Sequence, residues 1–508
     1  MAWISFTESP ILFTIAIGIL VEIAVLSQAA FKQIYSHPLT KYPGPKLGFL
    51  TTYRKAWIEL VLKKSWHLEL QDLHKKYGPI VRVGPNELHF EQPQAYHDIY
   101  NNSNRWDKEE SLYGSFGEDR SSFGFLTYKE SKARKDVLNK SFSTSAMSSV
   151  TPMVQEKIDS LCDVFTRLSR SKEPVDLNWA FRCMTMDVIT YLSFGRSVDA
   201  IHAPGFEAPI LVAMDASAQV FVAFKHFSFY KDMILNCPPN LSKKLSPAVA
   251  GLVDLQQILG QQIMELVSDP TKIEHLPHNN TIYHSLLNPE AYKNGTAPDA
   301  GSLYEESQAL MFAGADTVGI TLMYAMFHLL KKPKTLAKVK QELVTAWPDI
   351  KSAPPALKDL EKLPYFNATI KEALRLSVGV ISGLPRITPE GGAVIVDQQI
   401  PEDTIVSTGA IFVHYNPAIF PDPHEFRPER WLADASLDNW LVAFSRGPRS
   451  CLGINLAWLE LRLTLAAIVR RFDFELDPSS PDKLVFRDCF LPAFQGPHVK
   501  ALLTPLAV

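Results

Sequence analysis

The chain has 508 residues, 46% hydrophobic and 21% charged, with a formal net charge of -3 at pH 7. That is the composition of a globular protein, and it excludes the strongly basic footprint of a nucleic-acid binder. Cys162, Cys183, Cys237, Cys451 and Cys489 lie far apart with no Cys-x-x-Cys pair, which argues against a zinc site or a disulfide framework and for a reducing compartment.

Residues 11–31 are almost wholly apolar, with Glu22 the one charge. A run of this length suits a membrane span of ~20 residues. The positive charges follow it, at Lys32, Lys41, Lys46, Arg54 and Lys55, which places the rest of the chain in the cytosol. The organisation expected is a single-pass anchor over 1–31, a proline-rich hinge over 32–46 and one large catalytic domain over 47–508. Pro38, Pro43 and Pro45 resist helix formation and read as a stiff tether.

Periodicity predicts a helix over 60–77, ended by Gly78-Pro79, and two short strands over 80–90 around a Gly-Pro-Asn turn. Residues 105–127, rich in Gly, Ser and aromatics, form a loop that either covers a pocket or lies on the surface. Residues 128–143 are helical and contain Arg134 and Lys135; Lys132, Lys135 and Lys140 make a solvated face or a docking patch for an acidic partner. Helices and proline breakers alternate to residue 287. Phe221, Phe224, Phe227 and Phe229 suit core packing first, or a substrate entrance or membrane rest. Residues 279–301 are polar and read as a loop.

A long helix over 303–332 carries Ala313-Gly314-Ala315-Asp316-Thr317. A buried acid is costly without a partner, and glycine inside a helix costs ~1 kcal/mol against alanine. Both point to a kink where a ligand presses on the helix; the alternative is a glycine at a helix crossing. Thr317 can turn its hydroxyl to the backbone and open a groove. In the helix over 366–376, Glu372 and Arg375 share a face, the usual pattern of a surface pair. Residues 377–388 turn to extended chain, 393–409 form a small hairpin, and 416–431 meander. The run 490–494 turns back to close a pocket or to pack the core.

Residues 444–453 read Phe-Ser-Arg-Gly-Pro-Arg-Ser-Cys-Leu-Gly, just before an apolar helical run over 452–472. A helix N-terminus favours the thiolate of Cys451. Gly447 and Gly453 clear space for a flat group, Arg449 can fork onto a carboxylate, and Phe444 supplies an aromatic wall. These are the parts for holding a haem.

The pattern Phe-x-x-Gly-x-Arg-x-Cys-x-Gly resembles the haem-thiolate signature of the cytochrome P450 family. Asp316-Thr317, Glu372-Ala-Leu-Arg375 and Pro428-Glu-Arg430-Trp occur in the family's order. The resemblance implies a mainly α fold with small β-sheets and a haem b bound through Cys451, Arg449, Phe444, Gly447 and Gly453. It implies a proton relay at Asp316 and Thr317, a structural triad of Glu372, Arg375 and Arg430, and substrate contacts at Val380, Ile381, Ser382 and Ala313. Propionate partners would be Arg386, Arg134 and Lys135; the family usually has Trp or His four positions before that base, where this chain has Ser131.

The activity implied is monooxygenation of a lipophilic small molecule at the endoplasmic reticulum membrane. Because no Gly-x-Gly-x-x-Gly motif is present, electrons would come from an NADPH–cytochrome P450 reductase. Residues 37–45 and 383–389 look like the filamentous-fungal branch that decorates secondary metabolites, with a terpenoid or polyketide-type substrate. Alternatives are a haem-thiolate isomerase, dehydratase or peroxygenase without external electrons, or a haem sensor or carrier.

Overall fold

An apolar helix, Pro10–Phe31, opens the computed structural model, which describes residues 10–245, 249–269 and 281–506. Residues 14–36 are long and apolar enough to cross a membrane, and none of that stretch is buried against the rest of the protein. The fold is mostly helical with small sheets.

The segment after the anchor is less of a free tether than its prolines suggest. Pro38–Lys41 forms a 3-10 turn with Pro38 in its first turn, where a missing N–H costs nothing, and His37 Nδ1 accepts from Leu39 N at 3.1 Å. Leu39 and Tyr42 are buried, and Pro43 O accepts from Arg82 N at 2.9 Å. A Cβ at Gly44 would lie 2.1 Å from Arg82 O, so only glycine lets the segment dock there.

The helix expected from residue 60 begins only at Trp66, after a π-turn over Trp57–Val61 and a positive φ of 52° at Lys63. It ends at Gly78, φ 98°, as its sequence requires. Strands Ile80–Gly84 and Glu87–Phe90 pair antiparallel, and the second runs parallel to Ile405–Ser407, which pairs with Arg386–Ile387. The polar stretch before residue 301 is only partly loop: Ile282–Leu287 is a helix that buries Ile282, Tyr283 and Leu286. Asn279 lies outside the described residues.

The helix Ala300–Lys331 runs through the centre. Along it packs Leu177–Phe194. A Cβ at Gly314 would stand 2.5 Å from Ile189 Cγ1, and one at Gly319 would stand 2.8 Å from Arg182 Cγ. Gly314 therefore lies where two helices cross, and it also borders the interior cavity. One hydrophobic core joins this pair to Thr144–Leu168 and Ile454–Arg471; a second lies around the four-stranded sheet. Residues of both cores line an interior cavity between them.

Candidate functional site

The cavity holds about 500 Å³ of open space. Cys451 lies on its wall, in the loop before Ile454–Arg471. The loop is set by Cys451 N donating to Phe444 O at 2.8 Å and by left-handed residues at Ser445 (φ 55°) and Gly447 (φ 74°). A Cβ at Gly447 would meet Tyr100 O and Asn101 O at 2.8 Å. Gly447 thus serves the turn and a backbone crossing; it is not on the cavity wall. Gly453 is, and a Cβ there would find nothing nearer than Phe142 at 3.9 Å, so it does leave room. Phe444 lines the cavity and rests 6.1 Å from the Trp458 ring. Burial pushes the Cys451 thiol up, while Gly453 N–H and Lys135 pull it down. Cys451 is nonetheless open to the cavity, and an anionic sulfur in so enclosed a space calls for a cation beside it.

Lys108, Lys135 and Arg449 line the same cavity, with Arg386 buried close behind. Their hydrogen bonds go to neutral acceptors: Lys108 to Phe123 O, Lys135 to Ser450 O at 2.9 Å, Arg449 to Leu126 O at 2.9 Å, and Arg386 to the Tyr113 hydroxyl at 2.6 Å. Arg449 Nε has no partner among the described residues. Burial and the charges of Arg386, Arg449 and Lys135 hold Lys108 well below its ordinary range. Burial and Arg386 bring Arg449 down to about 10. Packed cations of this kind need an anion. A haem, which carries two carboxylates beside its iron, fits both the cluster and the thiol.

Arg134 does not belong to this cluster. It is buried against the central helix, giving Nη1 to Glu306 Oε2 and Nη2 to Ser302 Oγ, both at 2.7 Å. Ser122 N and Oγ donate to the same Glu306 at 2.8 and 2.6 Å. Glu306 therefore fastens both the Arg134 helix and, through Ser122, the 105–127 loop to the central helix, and that loop does cover the cavity, through Phe116 and Phe123. Lys108 is the base that the sequence reading missed; its only signal was a lysine in a loop of aromatics.

Thr317 opens onto the cavity and donates to Ala313 O at 3.0 Å. Asp316 Oδ1 accepts from Arg182 Nε at 2.7 Å, and Arg182 grips Asp215 with Nη1 and Nη2 at 3.0 and 2.6 Å. The Asp316 side chain is 11% exposed and that of Asp215 is 47%. Burial raises Asp316 above the usual carboxylate range, against the pull of Arg182.

Glu372 and Arg375 form a buried pair, not a surface one: the bonds are 2.8 and 2.9 Å, and both side chains are 0% exposed. Arg430 Nε and Trp431 Nε1 add bonds to Glu372 at 3.1 and 2.9 Å. Arg375 donates to His414 O at 2.8 Å, and His414 Nε2 accepts from Val442 N at 2.9 Å, two residues before Phe444. The triad is thus tied to the cysteine loop.

Ala313, Val380 and Ser382 line the cavity, whereas Ile381 is buried in the sheet-side core, its N–H given to Phe490 O at 2.9 Å. The turn at Phe490 (φ 78°) joins strands Val485–Cys489 and Leu491–Gln495 and closes the wall. Phe221 and Phe224 are buried, while Phe227 and Phe229 face outward, Phe229 80% exposed.

A sequence model of the cytochrome P450 family matches residues 43–493. The chain belongs to this family. As a cytochrome P450 it is similar to curated fungal enzymes along most of its length. It is 34% identical to cytochrome P450 monooxygenase MO6277 of Ascocoryne sarcoides, over 90% of this chain and 91% of that one. It is 32% identical to conidiogenone synthase PchP450 of Penicillium rubens, over 88% and 90%. It is 30% identical to tryptophan 6-hydroxylase fscE of Fusarium equiseti, over 94% of each. Membership of this monooxygenase family implies a haem-thiolate cofactor, a redox partner and a small-molecule substrate.

Proposed function

We propose that this P450 is a membrane-anchored monooxygenase that oxidises a lipophilic secondary metabolite, of terpenoid or polyketide type. Its electrons come from NADPH–cytochrome P450 reductase, and its catalytic domain, residues 47–508, faces the cytosol at the endoplasmic reticulum. The observation that carries the reading is one cavity that brings together the Cys451 loop, the basic side chains of Lys108, Lys135 and Arg449, and an acid–threonine pair.

Cys451 would ligate the haem iron, and Lys108, Lys135 and Arg449, backed by Arg386, would hold the propionates. The haem-thiolate group supplies oxygen activation when bound. The chain's residues do the rest. Asp316 and Thr317 hold and pass protons on the central helix. Arg182 keeps Asp316 in place and offers Asp215 as a half-exposed relay to solvent. Phe116, Phe123, Phe221, Phe312 and Phe490, with ring centroids 5.0–5.6 Å apart between neighbours, exclude water and receive an apolar substrate. In the overall reaction one oxygen atom enters the substrate and the other leaves as water.

Membrane attachment is supported beyond the anchor helix. Tyr53, Trp57, Phe227 and Phe229 are exposed, and the Tyr53 and Phe227 rings stack at 6.3 Å. These aromatics would rest at the bilayer surface.

The test is spectroscopic and then chemical. Purified protein should bind haem and give the red-shifted band of a thiolate-ligated, reduced carbon monoxide complex. Cys451→Ser should lose that band; a variant that kept it would overturn the assignment. Cells expressing the chain with a reductase should then convert a fed terpenoid or polyketide to an oxygenated product.

A further inference from the structure

The cavity has a polar group that none of these roles uses. Glu118, in the loop that covers the cavity, is on its wall and only 4% exposed. Its Oε2 has no hydrogen-bond partner among the described residues. Lys108, the cation that acts on its charge, instead gives its Nζ to Phe123 O and lies over the Tyr113 and Phe123 rings at 4.1 and 4.6 Å. A buried carboxyl oxygen left unpaired is expensive, and proteins seldom keep one without a use.

The surroundings say what kind of use. Phe116 and Phe123 flank Glu118 in sequence, and Phe221, Phe312 and Phe490 complete the ring cluster. Gln308, close by on the central helix, is already committed: its Nε2 donates to Phe116 O at 2.8 Å and its Oε1 accepts from the Tyr304 hydroxyl at 3.2 Å. Glu118 is also held in place. Its carbonyl accepts from Ser121 N at 3.0 Å, and a Cβ at Gly124 would lie 1.8 Å from that oxygen, so the turn is built on glycine. Arg120 pairs with Glu305 at 2.8 Å, and Ser122 bonds to Glu306, fixing both sides of the loop to the central helix. A rigid, unsatisfied polar group in an apolar cage is the usual means of orienting a ligand.

We propose that Glu118 is the polar anchor of the substrate, its carboxyl group hydrogen-bonding a hydroxyl carried by an otherwise apolar molecule. Burial and the carboxylates of Glu306, Glu305 and Asp119 push Glu118 well above the carboxylate range, against Lys108. A neutral carboxyl both donates and accepts, which matches a hydroxyl better than an ammonium. The substrate would then already bear a hydroxyl, so a hydroxylation, a carbonyl reduction or a hydroxyl-forming cyclisation must precede this enzyme's step.

The inference rests on the haem reading, because the probes that test it are anchored on the iron. N-alkylimidazoles of increasing chain length, ending in methyl, hydroxyl or ammonium, are titrated into the holoenzyme and followed by the shift of the haem absorption band. At one chain length the hydroxyl probe should bind about tenfold more tightly than the methyl probe. That preference should vanish in Glu118→Leu and in Glu118→Met and persist in reduced form in Glu118→Gln. Equal binding of hydroxyl and methyl probes at every length, or a preference unchanged in the apolar variants, would overturn the proposal. Preference for the ammonium probe would overturn it in favour of a cationic substrate. If no azole shifts the spectrum of the wild type, the haem assignment itself fails, a result distinct from all of these.

Discussion

Arg182 donates to Asp316 at 2.7 Å on one side while closing a two-point grip on Asp215 on the other. The arginine is buried, and its two carboxylates differ: both border the cavity, but Asp316 is largely sealed while Asp215 is about half exposed. This bridge fixes where Asp316 sits and supplies the charge that opposes its burial.

If Asp316 passes protons, its loss should separate electron use from product. Asp316→Asn is expected to lower turnover by about 10²-fold, with NADPH consumption falling less than product formation. Arg182→Leu should leave Asp316 without its counter-charge, raise its pKa further and uncouple the enzyme in the same direction. Product formed per NADPH consumed is the measurement; an unchanged ratio in both variants would remove Asp316 from the relay.

Lys108 is predicted to matter for cofactor retention. Lys108→Leu removes one buried cation from the group with Lys135, Arg386 and Arg449, so the haem should leave about tenfold faster on transfer to apomyoglobin. Arg134→Leu should instead loosen the covering loop, seen as faster proteolysis between 105 and 127, with haem loss less affected.

Glu372→Ala strips the carboxylate from Arg375 and Arg430 while leaving both buried. Breaking such a pair costs about 3–5 kcal/mol. Haem content after expression and the denaturation midpoint should both drop sharply, and Glu372→Gln should recover little because it restores no charge.

His414 gives the fold an acid sensitivity. Burial and the neighbouring Arg375 hold it down to about 3, and its Nε2 must stay unprotonated to accept from Val442 N. The unfolded histidine, near 6.5, takes up a proton first, so this contribution to stability is complete above that pH and falls as the pH drops toward 3. Unfolding midpoints measured from pH 7 to pH 4 should decline, and His414→Gln should flatten the decline.

Gly314→Val tests the crossing of the central helix with Leu177–Phe194. With Ile189 only 2.5 Å from a Cβ, the helices must separate, at about 1–3 kcal/mol or more. A variant as stable as the wild type would show that the crossing yields easily.

Much of this protein could be read from its residues in order. The cysteine loop, the anchor, the central helix and the first strand pair are each encoded by neighbours along the chain, so local chemistry and periodicity suffice. The partners of buried charges could not be read this way. Arg134 and Lys135 are adjacent, yet about 100° apart around one helix, so one meets Glu306 and the other the cysteine loop. Likewise a Glu-x-x-Arg pair looks the same in sequence whether solvated or sealed, and only packing made Glu372–Arg375 an internal strut. Lys108, Arg182 and Glu118 became significant only once segments remote in sequence enclosed a common space, because burial, which sets the cost of an unpaired charge, is a property of the assembled fold.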